Sequence, residues 1–335
     1  MKAVVMTAVG GPEVLELREL PEPRITRDTQ LKVQVKAAGV NPVDTKIRRK
    51  GLFYPDALPA ILGLDGAGVV VETGPGVTRF APGDAVWYCN GGLGGDPGNY
   101  AEFTLVDEAV AQPKPQSLSF VEAAAAPLVL ITAWEALHDR TRAGMDRSVL
   151  VVGGAGGVGH VAVQLARFAQ CPVAATVGSR EKAEFVRALG AERAILYTEE
   201  DFVEAVRDWT AGKGVDIALD TQGGDTFQRL MDAMGFYADL VTLLQPGAEV
   251  DWTPARRKNL RIAFELMLTP MLEDLPAARA HHGEILEYCA RLFDKGELRI
   301  HVSRTFPLEQ AAEAHRLVEQ GHTMGKVVLT VGETA

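Results

Sequence analysis

Gly154-Ala155-Gly156-Gly157-Val158-Gly159 stands between an apolar run, Ser148 to Val152, and an amphipathic segment, Val158 to Gln170. In that setting the glycines read as the first turn of a dinucleotide-binding βαβ unit. Gly154 permits the tight turn, Gly156 lets the backbone approach a pyrophosphate, and Gly159 lets the helix pack close to the strand. Ala155, Gly157 and Val158 complete the opening of the helix, where unpaired N–H groups and the positive end of the dipole favour linked phosphates. A pattern this short also occurs as a plain glycine turn, so its flanks decide. Val158, Val161, Ala162, Leu165 and Ala169 recur at helical spacing, and Pro172 closes that helix before a second apolar run, Val173 to Val177.

Outward from the motif, alternation of helix and strand extends from about Phe120 to about Leu266. Glu122 to His138 is alanine-rich and predicted helical, broken in two by Pro127. A helix at Glu181 to Leu189 stops at Gly190, and a short strand follows at Ala194 to Leu196. Thr198 with Asp201 makes a helix-start box ahead of Phe202, Val203, Val206 and Trp209. Further strands are expected at Val215 to Leu219 and Leu240 to Leu244. Because parallel crossovers are right-handed and nearly always helical, this stretch is α/β with a doubly wound parallel sheet. Residues before about 120 read as short strands separated by Gly and Pro, among them Lys2 to Val9, Gln30 to Ala38, Gly68 to Glu72 and Ala101 to Val106. They imply a small β-barrel or sandwich. The tail carries a long helix at Pro276 to Phe293, a strand at Leu298 to Thr305, a helix at Leu308 to Glu319 and a last strand at Lys326 to Val331. It lacks a full sheet of its own and is expected to return to the N-terminal part.

At 335 residues the chain exceeds the usual size of one core, so two domains are expected. Hydrophobic content of 47% and charged content of 23% are ordinary for a soluble globular protein, and no apolar run approaches a membrane span. Met1 to Met6 reads as a first strand and not a signal peptide, which makes the cytoplasm the expected location. A formal net charge of −10 without a sizeable basic block disfavours nucleic acid as a partner. Cys89, Cys171 and Cys289 are far apart and free of CxxC spacing, as in a reducing compartment. The histidines, His281-His282 included, form no metal-binding spacing.

Several motifs carry a resemblance: Ala38-Gly39-Val40-Asn41-Pro42-Val43-Asp44, Leu62-Gly63-Leu64-Asp65-Gly66-Ala67-Gly68, Pro82-Gly83-Asp84, Ile131-Thr132-Ala133-Trp134 and the glycine turn itself. With the β-rich start and the C-terminal return, the chain resembles the medium-chain dehydrogenase/reductase superfamily over essentially its whole length, and within it the zinc-free quinone oxidoreductase branch. The resemblance implies a mostly β GroES-like catalytic domain over residues 1–124, a Rossmann dinucleotide-binding domain over residues 125–267, and a return over residues 268–335 that completes the first. It implies a homodimeric enzyme that uses NADPH to reduce a small quinone, enone or other conjugated alkene. Leu240 to Leu244 and Arg261 to Leu266 are the candidate edge strands for pairing across a twofold axis. Zinc alcohol dehydrogenases of the superfamily carry a cysteine where Asn41 stands and a histidine-glutamate pair where Leu64-Asp65 stand. An alkyl side chain binds no metal, and catalytic zinc needs several nitrogen, sulfur or carboxylate ligands, so no metal is expected. Without that Lewis acid, conjugated acceptors remain feasible, because incoming hydride leaves charge delocalised onto a distant oxygen.

The second strand runs into Gly178-Ser179-Arg180 with no carboxylate before Glu181, and offers a hydroxyl, the Arg180 guanidinium and the Lys182 ammonium to a phosphate. By resemblance Gly178, Ser179, Lys182 and Tyr197 match the positions that hold the adenosine phosphate in NADPH-dependent relatives; the competing reading makes Arg180 and Lys182 solvated charges at a helix start. Asn41, Tyr54 and Thr132 match family residues near the nicotinamide ring and its ribose. Locally they also read as a turn asparagine, an exposed loop tyrosine and a threonine bonding back into its helix. Gly91 to Gly98 reads as a flexible rim of the active site or an ordinary surface loop, and Asp220 to Gly224 as a contact on the nicotinamide side. Two other functions stay open: an alcohol dehydrogenase with an atypical zinc site, and a nucleotide-binding protein with little turnover.

Overall fold

Val149–Val151, Val173–Val177 and Val215–Asp220 are buried almost end to end, as strands covered on both faces must be. In the computed structural model, which describes residues 1–54 and 56–332, they form the middle of a six-stranded parallel sheet. Arg193–Leu196, Met234–Thr242 and Arg261–Phe264 complete it. Numbered along the chain within this sheet, the strands lie in the order 3-2-1-4-5-6. The order reverses between the first and fourth strands, and ligands of open α/β sheets bind at that switch point. Helices Gly157–Phe168, Arg180–Ala188, Phe202–Trp209 and Gly224–Ala233 make the crossovers. Leu150, Ala174, Ile195, Val206, Ala218 and Phe227 pack into one core cluster. The sheet belongs to a compact unit, Val129–Met267; Met1–Leu128 and the chain from Leu268 onward form another.

The second unit holds a seven-stranded sheet and a three-stranded one. Its long central strand, Gln30–Val40, pairs antiparallel with Asp65–Thr73, with register shifts after Lys32 and Val35 that bend the sheet. The last strand, Lys326–Thr330, pairs antiparallel with the other side of Gln30–Val40, setting Val327 against Val40. Val302–Pro307 pairs parallel with that last strand. The tail therefore returns to the N-terminal sheet.

Local details depart from the sequence reading. The alanine-rich helix does break at Pro127, into Phe120–Ala125, capped by a reciprocal Ser119–Glu122 box, and Pro127–Trp134, which runs on into a π-helical turn, Glu135–Asp139. The cap of the helix at Phe202 is Asp201 and not Thr198: its carboxylate accepts from the N–H groups of Val203 and Glu204. The strand expected at Leu240 to Leu244 spans Met234–Thr242 and is hydrogen-bonded on both sides, so it offers no edge. Arg261–Phe264 is the end of the sheet. The strand expected at Leu298 to Thr305 lies at Val302–Pro307.

Candidate active site

The glycine turn joins the first strand of the parallel sheet to the helix Gly157–Phe168. The left-handed backbone belongs to Gly153, at φ +69°, which corrects the assignment of the tight turn to Gly154. Gly154 is needed for another reason: a Cβ there would meet the Ala175 Cβ of the second strand at 2.6 Å. At Gly159 a Cβ would fall 2.2 Å from the Gly153 carbonyl oxygen, so only glycine lets helix and turn approach this closely. At Gly156 the same construction meets one atom within 4 Å, the Gly153 oxygen at 3.3 Å, so the backbone there is open on its Cβ side. The first-turn amides of that helix have no intrahelical acceptor, as at any helix start. Thr176 Oγ1 accepts from the Gly153 N–H at 3.0 Å and Thr221 Oγ1 donates to the Val152 carbonyl at 2.8 Å, which ties the turn to its neighbouring strands. An open, amide-lined opening of this kind fits a pyrophosphate.

At the end of the second strand the structure brings Gly178, Ser179 and Tyr197 together: a Cβ on Gly178 would lie 2.4 Å from the Tyr197 hydroxyl. Ser179 Oγ accepts from the Lys182 N–H at 3.3 Å and so caps the helix Arg180–Ala188. Arg180 is exposed and pairs with Glu199 at 3.1 Å, an acid the sequence reading did not include.

On the carboxyl side of the sheet, Asp220 is committed to structure. It accepts from the N–H groups of Gln222 and Gly223 and from Thr242 Oγ1. That leaves Thr221 and Gln222 as the side chains facing Gly153. A groove of about 660 Å³ follows the fifth and sixth strands, lined by Leu243, Leu244, Val250, Trp252, Phe264 and Leu266 among others. Glu265, just past the sixth strand, has a fully buried side chain that accepts from Arg140 Nε at 2.9 Å. Burial, then the hydrogen bond and repulsion of Glu135 on the π-helical turn, push its carboxyl up to about 8. Thr132 is buried one turn ahead of Glu135.

Asn41 and Tyr54 belong to the other unit. Tyr54 is part-exposed, and its hydroxyl donates to the Met271 carbonyl at 3.4 Å. The Gly91 to Gly98 loop is packed against its neighbourhood: a Cβ on Gly94 would reach the Leu52 Cβ at 2.9 Å, and Gly91, Gly92 and Gly98 are buried. Gly95, Asp96 and Pro97 at its tip are exposed. Asn41 caps the helix Pro42–Lys50, its backbone N–H donating to Asp44 Oδ2 at 2.8 Å. Its side chain is engaged on both ends: Nδ2 donates to Asp65 Oδ2 at 2.9 Å, and Oδ1 accepts from Lys326 Nζ.

A buried polar chain leads away from this point. Arg48 pairs with Glu319 at 2.6 Å and donates to His315 Nδ1; since arginine only donates, the neutral ring carries its proton on Nε2 and donates to the Tyr100 oxygen at 3.2 Å. The Tyr100 hydroxyl donates on to Asp44 Oδ2. Burial lowers His315 to about 3 and raises Asp44 to about 7, the Asn41 N–H opposing the latter. Lys46 is exposed. Sequence reasoning missed Lys326, Tyr100, His315 and Arg48. The one available signal was a lone lysine opening a last strand that carries no other charge.

The residues present do not fit a catalytic metal. Leu64 is an alkyl group in the core, and the space beside Asn41 and Asp65 is taken by an ammonium, a cation that competes with any other. Among the described residues, no group of three or more His, Cys, Asp or Glu is placed to hold an ion.

Two family models match the chain: the alcohol dehydrogenase GroES-like domain over residues 27–116 and the zinc-binding dehydrogenase domain over residues 189–329. A 2-haloacrylate reductase from a Burkholderia species is 34% identical over 98% of this chain and 98% of its own. Quinone oxidoreductase 1 of Escherichia coli is 32% identical, with 96% of each chain covered. The crystal structure of Escherichia coli quinone oxidoreductase complexed with NADPH superposes with a TM-score of 0.87 at 30% identity, covering 98% of this chain and 100% of that one.

Proposed function

Because the chain belongs to the medium-chain dehydrogenase/reductase superfamily, in its quinone oxidoreductase branch, we propose that it is a zinc-independent, NADPH-dependent reductase of a quinone or conjugated alkene. The observation that carries this reading is the open helix start behind Gly156, followed by a second strand that ends without a carboxylate. The turn from Gly154 through Ala155, Gly156, Gly157 and Val158 to Gly159 would hold the pyrophosphate of NADPH. Gly178, Ser179, Arg180, Lys182 and Tyr197 would hold the adenosine phosphate; an acid in their place would repel it. NADPH supplies a hydride. Asn41, Tyr54 and Thr132 are assigned to the reacting end, where amide and hydroxyl donors orient the acceptor and stabilise the charge that the hydride leaves on its oxygen.

Lys182→Ala tests the phosphate assignment. The loss of one charge-assisted contact costs about 1.5–3 kcal/mol, so the NADPH Michaelis constant should rise by about tenfold or more while that for NADH changes little. Equal effects on both would refute it. Anaerobic NADPH oxidation with benzoquinone, naphthoquinone, enones and acrylates tests the reaction itself. Tight NADPH binding with no acceptor oxidising it would leave a binding protein.

We also propose a homodimer that pairs the edge strand Arg261–Phe264, where Phe264 and Leu266 are exposed. The cytoplasm is the proposed location, in keeping with the free, buried thiols of Cys89, Cys171 and Cys289.

A further inference from the structure

Lys326 opens the last strand, and the antiparallel register that sets Val327 against Val40 brings it beside Asn41, 285 residues away in sequence. Its side chain is 3% exposed and faces Asn41, Asp65, Asp44 and Cys89. Taking an ammonium this far out of water is unfavourable unless opposite charge and hydrogen bonds offset the desolvation. Asp65 Oδ2 lies 3.7 Å away and Asn41 Oδ1 accepts a hydrogen bond. Asp65 in turn is held by the Leu128 N–H at 2.8 Å as well as by Asn41.

The three groups leave the Asn41 amide one orientation. An ammonium only donates and a carboxylate only accepts, so the amide oxygen must face Lys326 and the amide nitrogen must face Asp65. Turned over, the amide would set N–H against ammonium and oxygen against carboxylate, so that two hydrogen bonds would give way to two repulsions. We propose that Lys326 is a positioning residue: its ammonium is an internal cation that fixes the Asn41 amide for work at the reacting end, at the place where zinc relatives put a metal ligand. This rests on the reading of Asn41 as a residue of that end.

The double variant Asp65→Asn/Lys326→Met removes both charges and leaves an amide at position 65 that serves either face of Asn41. Melting temperature, the NADPH dissociation constant by fluorescence, and kcat are compared across wild type, Asn41→Ala, Lys326→Met and the double variant. Lys326→Met should melt below wild type, because Asp65 loses its cation, and the double variant should regain most of that loss. NADPH affinity should stay within about twofold throughout, whereas kcat of the double variant should remain about tenfold low, like that of Asn41→Ala. Wild-type kcat in a double variant that melts normally, with kcat reduced in Asn41→Ala, overturns the positioning role alone. Wild-type kcat in Asn41→Ala overturns both that role and the reading of Asn41. A second pair stands independent of the double variant's folding: Lys326→Arg keeps a pure donor and should retain several-fold more kcat than Lys326→Gln, which offers both donor and acceptor. Equal kcat in those two also overturns the proposal.

Discussion

At the residue scale, the glycine turn shows what a pattern can and cannot assign. Adjacent glycines at 153 and 154 are equivalent to a reader of the string, yet Gly153 takes the positive φ while Gly154 makes room for Ala175. Which glycine turns depends on the second strand's position, and the hexapeptide does not encode that. Gly159 was legible, because close helix–strand approach is a local demand. The Asn41 environment was not, since its partner lies at the far end of the chain. Buried titratable residues predict a pH dependence. Glu265 is raised to about 8 and Asp44 to about 7, above their unfolded values, so each holds a proton in the folded state that the unfolded chain has lost. Stability from these groups is therefore present below their unfolded pKa values and is lost as pH rises through 7 and 8. His315 acts oppositely, but only below its unfolded value of 6.5. Between pH 6.5 and 8 the melting temperature should fall, and Glu265→Gln should flatten much of the slope. A profile rising over that interval would contradict the assignment.

At the element scale, sequence pattern placed the inner strands Val149–Val151, Val173–Val177 and Val215–Asp220 because each is a short apolar run with glycine or proline close to its ends. It failed where those bounds are missing. The strand Met234–Thr242 begins directly where the helix Gly224–Ala233 ends, and its exposed Phe236 and Tyr237 break the apolar run, so only its last residues, Leu240 to Thr242, were recognised. Val302–Pro307 is half exposed and takes its register from Lys326–Thr330, which is a tertiary decision. Helix starts were read unevenly: Asp201 is the cap in place of Thr198, and the helices Pro42–Lys50 and Gly224–Ala233 were not named from sequence. Ser179 is a cap with a second task under the proposed function. Ser179→Ala should lower stability by about 1 kcal/mol in urea unfolding without cofactor. It should also weaken NADPH more than NADH; loss of stability alone would leave Ser179 a cap only.

At the scale of the whole molecule, two sheets are organised differently: a parallel sheet whose strand order reverses beside the proposed phosphate site, and a largely antiparallel sheet completed by two strands from the C-terminal part of the chain. The first was readable because its chemistry is local to one turn. The second depends on strands from both ends of the chain, so its polar network appeared only with the pairing. The sheet edge at Arg261–Phe264 carries the proposed assembly. Sedimentation should give a dimer at micromolar concentration and a monomer for Phe264→Asp, which places charge on that edge. A monomeric wild type would end that proposal. Where the cofactor rests decides the function, and a crystal structure of the NADPH complex measures it directly. It should show the pyrophosphate oxygens on the amides that open the helix Gly157–Phe168 and the adenosine phosphate among Ser179, Lys182 and Tyr197. A cofactor bound elsewhere, or a metal ion in place of Lys326 beside Asn41, would contradict it.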